Sequence, residues 1–384
     1  MPNIIKMPIS NVLMGSDYTG AIAVGGQKTV ANVILDTGSS TLAVDGNFYN
    51  PITDQAAKTT KIAQAVKYGS GNWVGAVVDT SVSLSDAVTL QNVNLAVTYS
   101  EARNMFGKAQ GIFGLAYAPL NSASLMPADT WKSKYDADVV ERGKQVDLDP
   151  YFSQLEEAGV VANKFAFYTK RSIISVATGN PVTDPANQGV FVIGGGEEAT
   201  ELYTGGFTSV AVLDDAWYNT NLISVQIGNQ PPIKVESVLP GGSAPTNSIV
   251  DSGTNSLLFD QTLFDQMVAA FRAISPDFAT LLQRYSLTAG AVGVQSQIDL
   301  STWPDLVLTL QGADGTPVTL TISPANYWQF DATKKGAAIA NMFGDGGSMG
   351  GQSILGLPLF NEYYTVFDRT AASGHGVINF AKRV

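Results

Sequence analysis

One stretch of the sequence organises the rest of the chain: Val33-Ile34-Leu35-Asp36-Thr37-Gly38-Ser39-Ser40-Thr41-Leu42-Ala43-Val44. It recurs in altered form in the second half as Ser248-Ile249-Val250-Asp251-Ser252-Gly253-Thr254-Asn255-Ser256-Leu257-Leu258-Phe259. Each copy passes from an apolar segment into an aspartate, a small hydroxyl residue, a glycine and another hydroxyl residue, and then into a second apolar segment. Apolar segments bounded by such turn residues are typical of short buried strands. The sequence therefore predicts that Asp36 and Asp251 each lie at the end of a buried strand.

A second feature is repeated in the same order. An apolar-apolar-glycine-leucine segment follows each aspartate motif, first as Ile112-Phe113-Gly114-Leu115 and later as Ile354-Leu355-Gly356-Leu357. Two features that recur once, with loops of different length between them, indicate duplicated lobes rather than a short solenoid repeat. The predicted boundary falls at Gly205-Gly206, which gives an N-terminal lobe of residues 1–205 and a C-terminal lobe of residues 206–384.

The composition is that of a folded protein with two domains. Of the 384 residues, 45% are apolar, 14% are charged and 38 are glycine. This length allows two separate cores, and the glycine content suits short strands joined by tight turns. We therefore predict an all-β fold with few short helices. The clearest predicted helix is Gln261–Ile274, because its apolar side chains recur on one helical face.

The charge pattern argues against several classes of partner. The net charge is −11, and the sequence has no basic patch of the kind that binds nucleic acid or an anionic membrane. No apolar run reaches the length of a membrane-spanning helix. We therefore expect no nucleic-acid partner and no membrane partner; we also expect a monomeric protein. The N-terminal residues lack the apolar core of a signal peptide, so we expect a cytoplasmic or periplasmic location if Met1 is the native start, and secretion if a signal and a pro-segment have been removed.

The chain has no cysteine and a single histidine, His375. Thiolate nucleophiles, disulfides and zinc–thiolate sites are therefore excluded. A serine–histidine–aspartate triad would need His375, whose glycine-rich surroundings favour a surface turn. We expect no metal ion and no cofactor, and acid–base chemistry is left to carboxylates.

One Asp-Thr-Gly-Ser loop alone is more often a local turn than a catalytic site, since Asp and Ser side chains commonly bond to nearby backbone. Two copies change this interpretation, because a buried and unpaired carboxylate is costly and two facing carboxylates can share a proton. We predict that Asp36 and Asp251 lie within hydrogen-bond reach and titrate as a pair. The ionised member would polarise a water for attack on a peptide carbonyl, and the protonated member would donate to the developing oxyanion.

The residues beside the two aspartates would support them. Their hydroxyl groups would hydrogen-bond around the carboxylates, and two glycines would let backbone N–H groups approach. Local satisfaction of a turn is the other interpretation, and both can hold at once. The predicted supporting residues are Thr37, Gly38, Ser39, Ser252, Gly253 and Thr254.

Further motifs show that the chain resembles the pepsin-like aspartic proteases over nearly its whole length. Besides the two aspartate motifs, the matching segments are residues 66–71, 110–117, 165–168, 192–195, 353–356 and 363–369. A pair of carboxylates that share one proton is the established behaviour of that family's catalytic site.

The resemblance implies a bilobal pepsin-like fold with pseudo-two-fold related lobes and a central cleft for an extended peptide. It implies that Tyr68, Gly69 and Ser70 belong to a flap, a hairpin that closes over the substrate; without the resemblance, the hairpin at residues 63–78 is an ordinary glycine-tipped turn. Ile112 and Phe106 would help to line the pocket on the amino side of the scissile bond. The implied activity is that of an aspartic endopeptidase with an acidic optimum, a preference for large apolar residues flanking the scissile bond, and inhibition by statine-type, pepstatin-like compounds.

Several features depart from the family pattern. Ala43 occupies the position where the family usually has a tryptophan that hydrogen-bonds the flap tyrosine, and Trp73 could compensate from the flap's descending strand. The usual disulfides are absent, and Gln110 replaces a common aspartate. The polar segment 121–150 is longer than we expect from the resemblance, and we expect a surface excursion with a short helix there. The lack of cysteine and of Asn-x-Ser/Thr acceptors is similar to bacterial pepsin homologues of the shewasin type.

Two other functions are open at this point. A catalytically inactive pepsin-like binding or inhibitor protein would share the fold, but such relatives commonly lose part of the aspartate pair or its hydroxyls. This chain retains all of them together with Tyr68. A carbohydrate-binding all-β protein would leave the paired motifs unexplained. An aspartic endopeptidase is therefore the favoured function.

Overall fold

The computed structural model describes residues 2–13, 17–69, 71–86, 88–171, 176–177, 179–236, 244–286, 292–331, 334–347, 350–371 and 375–384. The chain folds into two compact units, one made of Met1–Asn3 and Thr19–Asn163 and the other of Ile4–Tyr18 and Lys164–Val384. The second unit begins its long segment at Lys164 because the strands between residues 164 and 211 pair within a sheet of that unit. The lobe boundary after residue 205 stays a prediction.

Strands dominate both units, which confirms the predicted mainly β fold with few helices. The strands are β1 (Ile5–Ser10), β2 (Thr19–Val24), β3 (Thr29–Asp36), β4 (Leu42–Asp45), β5 (Lys58–Lys67), β6 (Asn72–Ser85), β7 (Val88–Ala102), β8 (Gly111–Gly114), β9 (Ser122–Leu125), β10 (Lys144–Asp147), β11 (Lys164–Tyr168), β12 (Gln188–Ile193), β13 (Tyr203–Ala211), β14 (Asn219–Thr220), β15 (Leu222–Ile227), β16 (Ile233–Lys234), β17 (Ser248–Val250), β18 (Leu257–Phe259), β19 (Gly293–Val294), β20 (Leu306–Gln311), β21 (Pro317–Ile322), β22 (Trp328–Phe330), β23 (Ala337–Ala340), β24 (Met342–Gly344), β25 (Ser353–Leu355), β26 (Tyr363–Asp368) and β27 (Val377–Arg383). The α-helices are α1 (Thr130–Ser133), α2 (Ala137–Glu141), α3 (Tyr151–Glu157), α4 (Gln261–Ile274), α5 (Pro276–Arg284), α6 (Pro324–Tyr327) and α7 (Leu357–Phe360). Short 3₁₀ helices span Ala118–Leu120, Pro181–Thr183, Pro185–Asn187, Gln295–Gln297 and Leu300–Thr302.

In the first unit, one sheet follows the strand order β10-β9-β5-β6-β7-β4-β8-β3-β2. Strand β2 also pairs with β6, so the strands β6-β7-β4-β8-β3-β2 close on themselves and leave no free edge along the ring. Two of the pairings are parallel, β3 with β8 and β4 with β7. The buried apolar side chains of these strands include Val33, Leu35, Val44, Val77, Leu95 and Phe113.

The segment 121–150 is more than the surface excursion with a short helix that its polar sequence predicts. It contributes β9, β10, α1 and α2, and β9 pairs with β5, a strand of the hairpin that leads to Tyr68. Its Lys, Asp and Glu side chains are mostly exposed, while a few apolar residues such as Met126 and Val140 are buried. The polar composition therefore describes the outer face of this segment and not its inner one.

In the second unit, the antiparallel strands β1-β12-β11-β26-β27-β13 form the largest group of paired strands. Three smaller sheets follow the orders β14-β17-β25-β18-β24, β16-β15-β20-β21 and β19-β23-β22. Aromatic rings fill the core beside the antiparallel group: the ring centroids of Phe165 and Phe367 are 4.9 Å apart, and those of Phe167 and Phe191 are 4.8 Å apart. Such ring contacts add to the stabilisation from burial alone.

Helix α4 confirms the predicted helix at Gln261–Ile274. Asp260 caps it, because its Oδ1 accepts hydrogen bonds from the N–H groups of Thr262 and Leu263 at 3.0 and 3.3 Å. The helix ends at Ser275, which is extended, and Pro276 then begins α5. Among the helices of the described ranges, none combines the length and the apolar character needed to cross a bilayer.

A buried carboxylate, Asp54, is a main polar anchor of the first unit. Its Oδ1 accepts hydrogen bonds from the N–H groups of Gly26 and Ala56 at 3.0 and 2.9 Å. Its Oδ2 accepts hydrogen bonds from the hydroxyls of Tyr49 and Thr80 at 2.5 and 2.9 Å. Burial pushes the pKa of Asp54 upward, but the four donors outweigh burial and hold the pKa below its ordinary value.

We expect Asp54→Asn to lower the free energy of unfolding at pH 6 by about 2 kcal/mol, because it removes charge-assisted hydrogen bonds. The folded-state pKa is lowered, so the contribution of Asp54 is present above its ordinary pKa of 3.8 and is lost as the pH falls through the folded-state pKa. Urea unfolding at several values between pH 3 and pH 6 measures this. The difference between wild type and variant should shrink as the pH falls, and a difference that is constant over the range would contradict the assignment.

Candidate active site

The first aspartate loop begins where β3 ends. Asp36 is the last residue of β3 and is 5% exposed. The N–H of Gly38 donates to Asp36 Oδ1 at 2.7 Å, and Ser39 Oγ donates to Oδ2 at 2.5 Å. Each carboxylate oxygen therefore receives a hydrogen bond from its own loop, which offsets part of the cost of burying the charge.

The second aspartate loop repeats this arrangement. Asp251 follows the last residue of β17 and is 7% exposed. The N–H of Gly253 donates to Asp251 Oδ1 at 2.8 Å, and Thr254 Oγ1 donates to Oδ2 at 2.6 Å. The donors have the same offsets from the aspartate as in the Asp36 loop, although a threonine replaces the serine.

The remaining predicted supporting residues are Thr37 and Ser252, which directly follow the two aspartates. Both are buried, and buried hydroxyls in proteins are generally hydrogen-bonded. Their role around the carboxylates stays a prediction. Among the residues that the structure describes, no three acidic or histidine side chains are grouped so that they could hold a metal ion.

Each apolar-apolar-glycine segment runs beside its aspartate loop. Strand β8 is parallel to β3 with Gly114 opposite Asp36, and the N–H of Leu115 donates to the Asp36 carbonyl at 2.7 Å. In the second unit, β25 is parallel to β17, and the N–H of Asp251 donates to the Leu355 carbonyl at 3.1 Å. The two repeated sequence features are thus adjacent strands in each unit, which explains why they recur together.

The glycines of these segments are required by close approach of the backbone. A Cβ on Gly114 would lie 2.5 Å from the backbone nitrogen of Thr41, and a Cβ on Gly356 would lie 2.2 Å from the carbonyl oxygen of Thr254. Any side chain at either position would push the parallel strand away from the aspartate loop. Glycine therefore sets how closely the supporting strand packs behind each carboxylate.

The predicted flap is the hairpin formed by β5 and β6. The N–H of Tyr68 donates to the Gly71 carbonyl at 2.7 Å, which closes the turn. Gly69 is exposed in this turn, and Ser70 lies outside the described residues. The roles of Tyr68, Gly69 and Ser70 towards a substrate stay predictions.

The hydroxyl of Tyr68 is buried close to the Asp36 loop. Burial raises the pKa of Tyr68 above its ordinary value, and the negative charge of Asp36 raises the pKa further. The hydroxyl of Ser39 and the indole of Trp73 act in the opposite direction. The phenol therefore keeps its proton over the whole range in which carboxylates titrate and is always able to donate a hydrogen bond.

Trp73, and not Ala43, lies beside the flap tyrosine. Ala43 is buried on β4 opposite Ile112, and its methyl group offers no hydrogen bond. Trp73 is 1% exposed and pairs with Val66 across the hairpin. In the described part of the chain, neither the Tyr68 hydroxyl nor the Trp73 N–H meets the distance and angle limits of a hydrogen bond. The indole of Trp73 is nevertheless close enough to the Tyr68 hydroxyl to lower the pKa of the phenol.

The two predicted pocket residues are both buried. Ile112 is 4% exposed on β8, and Phe106 is 2% exposed. The N–H of Phe106 donates to Glu101 Oε1 at 3.1 Å, which holds the Phe106 backbone in place. Their contact with a substrate side chain stays a prediction.

Gln110, which departs from the family pattern, has a structural role. The side-chain Oε1 of Gln110 accepts a hydrogen bond from the backbone N–H of Asn32 at 2.8 Å. The backbone N–H of Gln110 donates to the Asn32 carbonyl at 2.8 Å. These two bonds tie the start of β8 to β3 just before the strands reach the Asp36 loop.

A buried polar cluster behind the Asp36 loop is not visible in the sequence. It consists of Thr41, Gln64 and Asn121, in which Asn121 Oδ1 accepts hydrogen bonds from Thr41 Oγ1 and Gln64 Nε2, both at 3.0 Å. The three residues are far apart in the chain, and single polar residues in strands carry no periodic signal. The one available hint is that Gln64 interrupts an otherwise small and apolar stretch of β5.

Known proteins similar to this chain define its class. A sequence profile of the eukaryotic aspartyl protease family matches residues 17–381. Vacuolar protease A of Arthroderma otae is 24% identical over 384 residues, covering 96% of this chain and 79% of the relative. Cathepsin D of Chionodraco hamatus is 24% identical over 93% of this chain and 80% of the relative, and pepsin A of Sus scrofa is 25% identical over 94% of this chain and 81% of the relative.

The chain belongs to the eukaryotic aspartyl protease family. It is an aspartic-type endopeptidase with a pepsin-like fold, as its sequence motifs predicted. The alternative of a catalytically inactive binding protein finds no support among these relatives, which are named as proteases.

Trp73→Phe tests whether the indole N–H anchors the flap tyrosine. The variant keeps an aromatic ring but removes the donor, so we expect KM for a peptide substrate to rise about 5-fold, the effect of one ordinary hydrogen bond. The value of kcat should change less, because both aspartate loops are intact. Initial rates over a range of concentrations of a fluorogenic peptide separate the two constants.

Trp328→Phe is the matched control. Trp328 is a buried tryptophan of the second unit whose N–H, like that of Trp73, has no hydrogen-bond partner within the described residues. We expect its substitution to leave KM within about 2-fold of wild type, since Trp328 packs against Trp303 of the second unit, with ring centroids 4.8 Å apart, whereas Trp73 lies beside the flap tyrosine. Equal effects of the two substitutions on KM would rule out a specific role for Trp73.

Proposed function

We propose that Asp36 and Asp251 are the catalytic pair of this endopeptidase. The observation that carries the proposal is the match between the two aspartate loops, each of which gives a glycine N–H to one carboxylate oxygen and a hydroxyl to the other. The supporting strand behind each loop is also placed in the same way. Two unrelated turns would have no reason to share these donors, offsets and neighbouring strands.

The proposed mechanism uses the two aspartates as one pair of carboxylates. Carboxylates that share one site do not both ionise readily, and in the proposed mechanism one member is ionised and the other is protonated. The ionised member takes a proton from water as the water attacks the peptide carbonyl, and the protonated member donates to the oxygen that becomes negative. Proton transfer to the leaving amine then breaks the C–N bond. No covalent intermediate with the enzyme forms.

The proposed substrate is an extended peptide with large apolar residues on both sides of the scissile bond. Ile112 and Phe106 would supply apolar surface for the residue on the amino side. Tyr68 would donate a hydrogen bond from the flap, while Gly69 and Ser70 approach the substrate backbone. Since one chain carries both aspartate motifs, we propose that the active species is a monomer. A statine-type hydroxyl, which mimics the tetrahedral intermediate, would bind to the pair.

Asp36→Asn and Asp251→Asn are each expected to lower kcat by at least about 10³-fold, because an amide can neither accept the proton of water nor share a proton with its partner. The measurement is the initial rate of cleavage of a fluorogenic peptide with apolar residues at the cleaved bond, between pH 3 and pH 7. Wild-type activity should be highest at acidic pH and should fall as the pair loses its shared proton. A pepstatin-like compound should block the activity.

Asp314→Asn is the matched control for these substitutions. Asp314 is exposed, and its Oδ1 accepts hydrogen bonds from the N–H and the hydroxyl of Thr316 at 2.9 and 2.6 Å. Asp314 is therefore hydrogen-bonded within its own turn, as Asp36 and Asp251 are within their loops. Unlike them, it is exposed and does not lie at the end of a buried strand. We expect full activity from this variant. If Asp36→Asn or Asp251→Asn also kept wild-type kcat, the pair would have to be assigned elsewhere.

A further inference from the structure

Asn121 joins three parts of the first unit through one side chain. Its Oδ1 accepts hydrogen bonds from Thr41, which follows the Asp36 loop, and from Gln64 on the flap strand β5. Its Nδ2 donates to the Leu148 carbonyl at 3.0 Å. Because Asn121 and Leu148 lie near the two ends of segment 121–150, the same amide also closes the base of that segment.

This cluster is buried, so its hydrogen bonds set strict positions. Thr41, Gln64 and Asn121 are 3%, 1% and 5% exposed. Gln64 Nε2 donates to the Ser122 carbonyl at 3.2 Å as well as to Asn121, so both of its N–H groups have acceptors. A buried amide that loses its partners is strongly disfavoured. Movement of β5 away from Asn121 is therefore opposed, whereas an apolar contact would tolerate sliding.

Segment 121–150 also holds the outer edge of β5. Strand β9 pairs with β5 at Ile62 and Ala63. The hydroxyl of Thr130, which is completely buried at the start of α1, donates to the Ile62 carbonyl at 2.8 Å. The pairing of β5 with β9 ends at Ala63, and Gln64 directly follows Ala63 on β5.

Apolar packing strengthens the same attachment. Met126 and Val140 of the segment form a buried cluster with Ala63 of β5 and Val74 of β6. The cluster therefore contacts both strands of the flap hairpin below its tip. An exposed ion pair of 2.7 Å between Lys67 and Glu141 is a further contact with β5, although ion pairs of this kind contribute little.

From this geometry we propose that Gln64 and Asn121 are positioning residues for the flap. They fix the point on β5 from which the outer part of the hairpin moves, and they tie that point to the Asp36 loop through Thr41. Segment 121–150 holds the strand in place from its other edge. Tyr68, four positions beyond Gln64, is thereby kept at a defined distance from Asp36. This inference rests on the proposed role of the β5–β6 hairpin as a flap that covers substrate.

Gln64→Met tests the proposal, because methionine fills a similar volume but has no N–H to donate. We expect KM for a peptide substrate to rise at least about 5-fold with kcat changed less than about 2-fold, because the variant loses the hydrogen bonds to Asn121 and Ser122 that position the flap. In the protein without substrate, amide hydrogen exchange in peptides that cover residues 60–75 should become about 10-fold faster, since local opening limits exchange there.

Gln64→Glu is the conservative variant. Burial raises the pKa of a glutamate at such a position, so at the acidic pH of the assay it is protonated, and its single O–H can donate to Asn121 Oδ1 while the Ser122 carbonyl loses its donor. We expect its KM and its hydrogen exchange to lie between the values of wild type and those of Gln64→Met. If Gln64→Glu were impaired as much as Gln64→Met, the hydrogen bond would not be the cause and the proposal would be overturned.

Gln352→Met is the matched control in the second unit. Gln352 is buried, and its Nε2 donates to the Thr246 carbonyl at 3.1 Å. This substitution also removes a buried amide donor, but we expect it to leave hydrogen exchange in residues 60–75 unchanged. Faster exchange there in Gln352→Met would show a general loss of stability and would contradict a specific role for Gln64.

Thr130→Val and Thr130→Ser provide a second pair in case Gln64→Met does not fold. Valine removes the hydroxyl that reaches Ile62, and serine retains it, so only the valine variant should speed exchange in residues 60–75, by about 3-fold. Equal exchange in the two variants would overturn the role of the segment. Hydrogen exchange is measured without turnover, so the two proposals can fail separately. Absence of peptidase activity in the wild type would count against the proposed function. The exchange rates would still decide whether these residues position the hairpin.

Discussion

A carboxylate at the end of a buried strand must receive hydrogen bonds from its own neighbourhood, and this constraint shapes both units of the protein. Asp36 and Asp251 meet it with the same two donors, a glycine N–H and a hydroxyl three residues on. The strand behind each loop must then approach closely enough to bond with the aspartate backbone, and only glycine at positions 114 and 356 leaves room for this. The repeated sequence features therefore act together to bury a carboxylate while supplying it with hydrogen bonds.

Tyr68 has a tryptophan neighbour, but that tryptophan lies at a different position in the chain from the one the family uses. In the family, the tryptophan beside the flap tyrosine follows the first aspartate motif, where this chain has Ala43. Here Trp73 lies on the flap's own second strand. Because Trp73 and Tyr68 belong to the same hairpin, a contact between them cannot tie that hairpin to the body of the unit. In our proposal, that task falls to Gln64 and Asn121, which bond the flap strand to the segment beside the Asp36 loop.

Segment 121–150 illustrates why composition can mislead. Its charged residues predict a surface excursion, and most of them are indeed exposed. Its contribution to the fold comes from a short strand, a buried threonine and a few apolar side chains that pack on β5 and β6. These residues are a minority of the segment, so they hardly alter its average polarity, yet they carry its contacts with the flap hairpin.

Local patterns were enough to determine much of this protein from its sequence. The aspartate motifs, the capped helix α4 and the flap hairpin each depend on residues close together in the chain, and periodicity, turn residues and caps reveal such elements directly. Membership of the protease family rests on the same motifs. The tertiary structure alone decided that Thr41, Gln64 and Asn121 meet and that β9 pairs with β5. Those contacts join residues distant in sequence, and a single polar side chain carries no periodic signal of its partner; only the folded chain brings its donor and acceptor together.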